Sequence, residues 1–518
     1  MARKARYDNG MTPDAAPSSL AILDQPFGRL ADLIATHAAA APGRVAIIDG
    51  ERRLTYRDLD AAMDRVAASL QRDGIGPGGS IAIAAGTSAD YVVLFMGALR
   101  AGVAVAPLAP SSTPDALVTM MTDSGAARIF LDADNAAALG DRALPAPVTR
   151  FANFAAWLSE DNPAPVDVTP DMAFNIIYSS GTTGTPKGIV QSHAMRWSHV
   201  GRGTMLGYTA DTMTLVSTPL YSNTTLVSVI PTLANGGALV LMPKFDARRA
   251  LELSVAHGVT HAMLVPVQYR RIMELPDFDV FDLSRYKMKF ATSAPFAAAL
   301  KADVLARWPG GLVEYFGMTE GGGTCILIAH LHSDKLHTVG QPAPGHDIRL
   351  IDDAGVEVSA GTTGEIVGHS PAMMTGYHDQ PGKSADARWT SPDGKVFIRT
   401  GDVGRFDDHG FLTLLDRKKD MIISGGFNIY PSDLEAVLAQ APGVVEGAVV
   451  GVPSDAWGET PVGFVVMQGG ADAEGARAWA NERLGKTQRL SAIVAVDALP
   501  RSAIGKVLKR ELRDGWRG

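Results

Sequence analysis

The chain is nearly devoid of cysteine: Cys325 is the only one in 518 residues. An internal disulfide is excluded, and the composition fits a reducing compartment, so a cytoplasmic location is expected. Cys325 lies in a Gly-rich apolar stretch with no sequence-local group to activate it, and reads as a packing residue. Long apolar runs are also missing. The best candidate, 92–107, is interrupted by Arg100 and two glycines, and predicts a helix followed by a buried strand instead of a membrane span. The basic N-terminus has no apolar segment behind it, so no secretory leader is expected. An excess of positive charge is absent too: 47 Lys and Arg against 55 Asp and Glu give a net charge of −8. That balance leaves no broad basic field for nucleic acid, although local pockets for phosphates remain open.

What is present is an ordinary globular composition, 46% hydrophobic and 20% charged, in a chain too long for a single core. Residues 1–19, rich in Pro, Ala, Ser and Asp, are expected to be a flexible tail. Short apolar runs at 45–48, 80–84, 103–106 and 128–131 alternate with Ala-rich stretches such as 56–71, whose apolar positions recur at helical spacing. The rhythm returns at 238–242, 262–265 and 289–292, which predicts parallel sheets covered by helices. After Gly340 the turn sequences at 352–355 and 407–410 separate alternating runs, so a β-rich subdomain is expected. The last hundred or so residues carry an amphipathic helix at 432–440, with Ser432 as N-cap, and strand-like runs at 446–452 and 462–467. The fold class is therefore α/β: a large N-terminal domain over 20–416, a hinge at 417–420, and a small mobile α+β domain over 421–518.

Chemistry enters at 178–188, between Ile176-Ile177 and the apolar pair Ile189-Val190. Six of these eleven residues bear hydroxyls, among them Ser179, Ser180, Thr182 and Thr183, and Gly181, Gly184 and Gly188 interrupt them. Glycines let backbone N–H groups approach an anion, hydroxyls donate further bonds, and Lys187 supplies a point charge, so the loop suits a polyphosphate. It is not a Walker A loop, because Pro186 precedes Lys187 and Gly188 follows it. The segment resembles the phosphate-binding motif of the AMP-forming adenylating superfamily, which includes acyl-CoA synthetases, luciferases and the adenylation domains of peptide synthetases.

Further segments resemble that family's motifs in the family's order, over 178–506. Tyr315-Phe316-Gly317-Met318-Thr319-Glu320 is similar to its aromatic-Gly-x-Thr-Glu motif, with Phe316 where Tyr is usual. The resemblance implies adenine stacking by the aromatic residues, an α-phosphate contact from Thr319 and Mg2+ ligation by Glu320. Ser293, Ala294 and Pro295 match the turn that reads the adenine edge, Asp402 the ribose-binding aspartate, and Arg417 the arginine near ribose and phosphates. A plain ion pair between Asp402 and Arg417 is the structural alternative. Lys419 falls at the hinge residue, and Gly425 and Gly426 at the segment that lines the pantetheine tunnel of CoA. Lys506 matches the C-terminal lysine that stabilises charge during adenylate formation. The catalytic assignments are thus Lys506, Thr319 and Glu320, with ATP and CoA as co-substrates.

The acid is less defined. Tyr221, Ser222, Thr224, Ser228, Gly317, Gly322 and Gly323 are expected near the acyl group, with Ser222 where many members carry His. Their small size points to an aromatic acid of the benzoate or cinnamate type, or a medium-size aliphatic or alicyclic one. No Arg or Lys occurs in those segments, which disfavours dicarboxylates. Met195 and Trp197 read as core more readily than as pocket wall. The chain ends soon after Lys506, with no room for a carrier domain, so CoA is the expected acceptor. The alternatives are a stand-alone adenylase that loads a separate carrier protein and a non-catalytic nucleotide sensor. Oligomeric state is open, a homodimer included.

Overall fold

The computed structural model describes residues 19–179, 186–424, 427–485, 488–502 and 505–517. Of the residues singled out above, Ser180, Gly181, Thr182, Thr183, Gly184, Gly425 and Gly426 lie outside the described residues, as does nearly all of the expected tail.

Six strands run parallel in the first sheet, in the spatial order Gly311–Gly317, Met288–Ala291, His261–Leu264, Met213–Val216, Ala238–Leu241 and Val45–Asp49, with antiparallel strands at both edges. The second sheet has Ala104–Pro107, Ser80–Ala84, Arg128–Leu131 and Val148–Arg150 in parallel. An antiparallel hairpin, Ala173–Ser179 with Lys187–Ser192, extends it. Helices Leu30–Ala40, Tyr56–Arg72, Ala89–Arg100 and Asn223–Ala234 fill the space between the sheets. Successive strand residues serve opposite faces: Ile47 and Leu239 meet those helices, whereas Ile48 and Val240 meet the helices on the outer side. Strands covered on both faces must be apolar throughout, as Ser80–Ala84 is, buried at every position.

The expected boundaries carry small errors. The runs expected at 103–106, 262–265 and 289–292 form strands Ala104–Pro107, His261–Leu264 and Met288–Ala291. Each boundary is off by a single residue, which the composition of so short a run does not resolve. The β-rich region is a twisted antiparallel sheet of Asp347–Ile351, Gly364–His369, Val396–Phe406, Arg388–Thr390 and Leu412–Arg417. The C-terminal part pairs Val444–Ser454 with Gly458–Met467 and packs helices Pro431–Leu438 and Ala473–Arg483 on that sheet. Ser432 is not the N-cap that was expected: Pro431 opens the helix and Tyr430 precedes it. Ser432 instead donates its hydroxyl to the carbonyl of Leu415 and its N–H to Asp416, at 3.0 Å. Proline's fixed φ suits the first helical position, which frees the serine for that contact. Cys325 is fully buried in an apolar cluster and its thiol pKa is pushed up by burial, in keeping with a packing role.

One buried cation ties several segments together. Arg196, on helix His193–Met205, donates to Asn175 Oδ1 at 2.9 Å, to Asn223 Oδ1 at 2.9 Å and to Gln191 Oε1. Gln191 passes the link on, donating to the carbonyl of Thr319 at 2.6 Å. All its acceptors are neutral, and burial lowers its pKa to about 9. Arg196→Met should therefore leave the amide oxygens of Asn175 and Asn223 without this donor, while Gln191 Oε1 keeps only the N–H of Asn175. We expect a stability loss of about 3 kcal/mol or more, read as a fall in the urea midpoint; an unchanged midpoint would contradict the role given to this network.

Two buried histidines and one half-buried histidine make the fold acid-sensitive. Burial is the main cause that lowers His193, His261 and His346 from 6.5 to about 4. The unfolded chain binds more protons than the folded one between those values, so stability falls as pH drops from about 6.5 towards 4. The contribution per group reaches about 1.4 kcal/mol per pH unit. Denaturant titrations at pH 7 and pH 5 should show it, and His261→Gln should flatten the dependence.

Candidate active site

The phosphate-loop residues that the structure describes sit in a hairpin, where Ser179 pairs with Lys187 in the last register of the ladder. Lys187 extends its Nζ over the ring of Tyr377, 5.0 Å from the centroid. Tyr377 in turn donates its hydroxyl to Glu320 Oε1 at 2.9 Å. Glu320 is thereby held opposite the phosphate-loop strand, half-buried, with its other oxygen directed to no protein donor among the described residues. No group of three or more acidic, His or Cys side chains that could hold a metal occurs among the described residues. A single carboxylate with open lone pairs nevertheless fits Mg2+, which is commonly held by one or two carboxylates together with substrate phosphates.

Thr319 and Glu320 follow strand Gly311–Gly317, in which side chains alternate. Tyr315 stacks on Phe290 at 5.9 Å on one face, and Phe316 packs beside Cys325 and Ile348 on the other. Tyr315 and Phe316 therefore stand on opposite faces of one strand, so only one of them can offer adenine a stacking face. Ser293 has φ +82°, a left-handed conformation that costs a non-glycine residue energy and is often kept at binding sites. It follows strand Met288–Ala291 and hydrogen-bonds through Oγ to Thr224 Oγ1 at 2.5 Å, which joins the expected adenine turn to the expected acyl segment. Ala294 and Pro295 continue the same turn.

Asp402 lies where strand Val396–Phe406 bulges against Gly364–His369, and the bulge is shaped by Gly401 at φ +71°. Its carboxylate pairs with Arg417 Nε at 3.1 Å, across the strand ladder. The ion pair considered as a structural alternative is present, and it is compatible with a shared ligand because both side chains keep exposed surface. Burial raises the Asp402 pKa, whereas Arg417 and Lys506 pull it down.

Lys506 comes from the far end of the chain. Gly505 docks on the N-terminal domain, where an added Cβ would lie 2.7 Å from Val267 Cγ1. The side chain of Lys506 stays open to the cleft, and its pKa is lowered by desolvation first and then by Arg417. Asp402 and Glu320 oppose that shift. Glu320 and the neighbouring segment that carries Asp402, Arg417 and Lys419 thus act on one ammonium from far away in sequence. Arg270 supports the docking through Glu446, at 3.3 Å, and Arg501 holds the same carboxylate. The expected hinge residue, Lys419, lies in the 3-10 turn Lys418–Asp420, and Lys418 anchors that turn to Asp353 and Glu365.

Among the expected acyl residues, Tyr221 is partly buried, and Ser222 caps helix Asn223–Ala234 by accepting from the N–H of Thr224. A helix cap is the physical task of the serine that stands in place of His. Thr224 and Ser228 are buried on that helix, and Gly317 is exposed at the strand end. Gly322 and Gly323 have a different reason to be small. A Cβ there would meet Ile398 at 2.6 Å and Ile348 at 2.3 Å, so the β-rich sheet fills that space and their size says little about the acid. Met195 is buried and Trp197 packs on the inter-sheet core. Residues that sequence reasoning missed are Tyr377, Gln191 and Arg196. Asn175 and Gln191, fully buried amides inside strands, were the available signal.

With this geometry in view, comparison with known proteins is informative. The model described as AMP-binding enzyme matches residues 34–378, and the AMP-binding enzyme C-terminal domain matches 433–506. A fatty acid–[acyl-carrier-protein] ligase, ScoC of Streptomyces coeruleorubidus, is 31% identical over 499 residues, covering 93% of this chain and 95% of that protein. A feruloyl-CoA synthase of Amycolatopsis is 32% identical over 487 residues, covering 92% and 96%. The crystal structure of ATP-bound MatB from Rhodopseudomonas palustris superposes with a TM-score of 0.82 at 29% identity, covering 93% of this chain and 98% of that one. Two family models that together span most of the chain, and relatives similar along nearly their whole length, show that this protein belongs to the AMP-binding enzyme family, the AMP-forming adenylating superfamily.

Proposed function

We propose that this enzyme is an AMP-forming carboxylate–CoA ligase that activates an aromatic or medium-size aliphatic or alicyclic acid. In the first half-reaction a carboxylate oxygen bonds to the α-phosphorus of ATP, and the bond to the β-phosphate oxygen breaks with its electrons leaving on pyrophosphate. In the second, the CoA sulfur bonds to the acyl carbon, AMP leaves with the anhydride oxygen, and the thiol proton passes to solvent. The observation that carries this reading is the docking of Gly505 on Val267, which sets Lys506 against both Asp402 and Glu320.

In this reading the hairpin loop with Lys187 holds the β- and γ-phosphates. Thr319 contacts the α-phosphate, and the turn at Ser293 accommodates adenine. Asp402, with Arg417 beside it, accepts from the ribose hydroxyls. Lys506 stabilises charge that accumulates between the attacking carboxylate and departing pyrophosphate. Glu320 would hold Mg2+, which supplies charge neutralisation on the phosphates. Rotation about Lys419 then withdraws Lys506 and brings Gly425 and Gly426 to the site for the thiol arm. Feruloyl-CoA synthase among the relatives supports CoA as acceptor, while the carrier-protein ligase keeps a second reading in view, in which a separate carrier protein takes the acyl group.

Purified protein with ATP, Mg2+, an acid panel and CoA should release pyrophosphate and form acyl-CoA; adenylate without thioester would favour the carrier protein. Lys506→Ala should lower adenylate formation at least about a hundredfold, with pre-formed acyl-adenylate still converted to thioester. An unimpaired first half-reaction would refute the assignment. Because the folded pKa of Lys506 is lowered, its charge is lost at a lower pH than that of a free lysine. Adenylation should therefore decline on the alkaline side as pH rises through that value, and Lys506→Arg should move the decline to higher pH.

A further inference from the structure

Among the described residues, Arg202 is a cation without a counter-ion. It occupies the last turn of helix His193–Met205, half-buried. Among the described residues its guanidinium makes no ion pair and no hydrogen bond, and the group of opposite tendency that acts on it is the phenol of Tyr315. The undescribed phosphate-loop residues 180–185 contain no Asp or Glu. Its other charged or titratable neighbours are imidazoles, His199 and His346, both held neutral by burial and by Arg202 itself. Guanidinium loses much hydration on burial and normally recovers it through a carboxylate or phosphate.

The surroundings of Arg202 are those of the acyl pocket. Its helix lies close along Asn223–Ala234, near enough that a Cβ on Gly203 would stand 2.2 Å from Pro231, and the latter helix carries Thr224 and Ser228. Tyr315 leads directly into Phe316 and Gly317. His346 accepts at Nδ1 from the N–H of Thr324, at 2.9 Å, next to Gly323. A neutral imidazole that accepts at Nδ1 carries its proton on Nε2, and that N–H has no partner among the described residues. Two donors with no acceptor among the described residues, near enough for Arg202 to act on His346, therefore adjoin segments expected to surround the acyl chain.

We propose that Arg202, assisted by the Nε2–H of His346, binds a second carboxylate at the distal end of the acyl pocket, so that the acid activated is a dicarboxylic acid. This rests on the ligase reading above and narrows its substrate class. The segments in which no cation was found end before this point, because Arg202 reaches the pocket from a helix that belongs to the phosphate-loop hairpin. A charge-assisted pair formed away from bulk water is strong enough to select a diacid over its neutral ester.

The test compares α,ω-diacids from succinate to sebacate, and benzene-1,4-dicarboxylate, each with its monomethyl ester, in pyrophosphate release and CoA thioester formation. At least one diacid should exceed its ester about tenfold in kcat/KM, and Arg202→Leu should lower that ratio about tenfold or more. Arg202→Lys should keep part of the preference, and Arg202→Gln, checked by thermal melt, replaces the leucine variant if that one fails to fold. Thioester formed from the esters, with every diacid rejected or the ratio unmoved by the variants, overturns the subsite and leaves the ligase reading intact. If neither series turns over, calorimetric titration of the same diacids into the AMP-saturated protein decides. Binding lost in the variants upholds the subsite, and binding that is absent or unchanged overturns it.

Discussion

A dry guanidinium holds the catalytic end of this molecule together. Arg196 draws Asn175, Gln191 and Asn223 to one point, and Gln191 carries the connection to the backbone of Thr319. A hairpin, a helix and the strand end that bears Glu320 are thereby fixed in mutual register, although they come from both large sheets. A planar cation with five donors suits this task, since it satisfies several acceptors in fixed directions at once. The backbone of Thr319, next to Glu320, hangs from that hub.

The C-terminal part is attached differently. Small contacts seat it: Gly505 on Val267, Glu446 between Arg270 and Arg501, and Ser432 on Leu415. A few polar contacts and one glycine approach make an interface that can be left and re-formed, in contrast to the apolar core between the sheets. That contrast suits the proposed mechanism, in which Lys506 serves one half-reaction and a different face of the same domain the next.

Charge is distributed to match. The chain is net acidic, yet Lys506 and Arg417 both act on Asp402, and Lys187 shares the ring of Tyr377 with Glu320. An overall negative protein with a locally positive site limits nonspecific anion binding while it keeps the field where a polyphosphate is handled. His346 and Tyr377, neither of which stood out among the motifs, act as connectors in that field.

Local chemistry alone was enough to read the α/β class and the alternating strands and helices, whereas Thr319, Asp402 and Lys506 were singled out only by the resemblance of short motifs to a family. Hydroxyl-rich glycine loops and apolar periodicity are properties of short stretches, so they survive without knowledge of the fold. Only tertiary structure could decide which neighbours those stretches would meet. It turned Ser432 from a cap into an interdomain contact and gave Ser222 the capping task instead. It also explained Gly322 and Gly323 by an approaching sheet, and placed Tyr315 and Phe316 on opposite faces. The burial of Arg196 and Arg202 belongs to the same class, because an arginine's partners are set by what packs around it across hundreds of residues and not by the residues on either side.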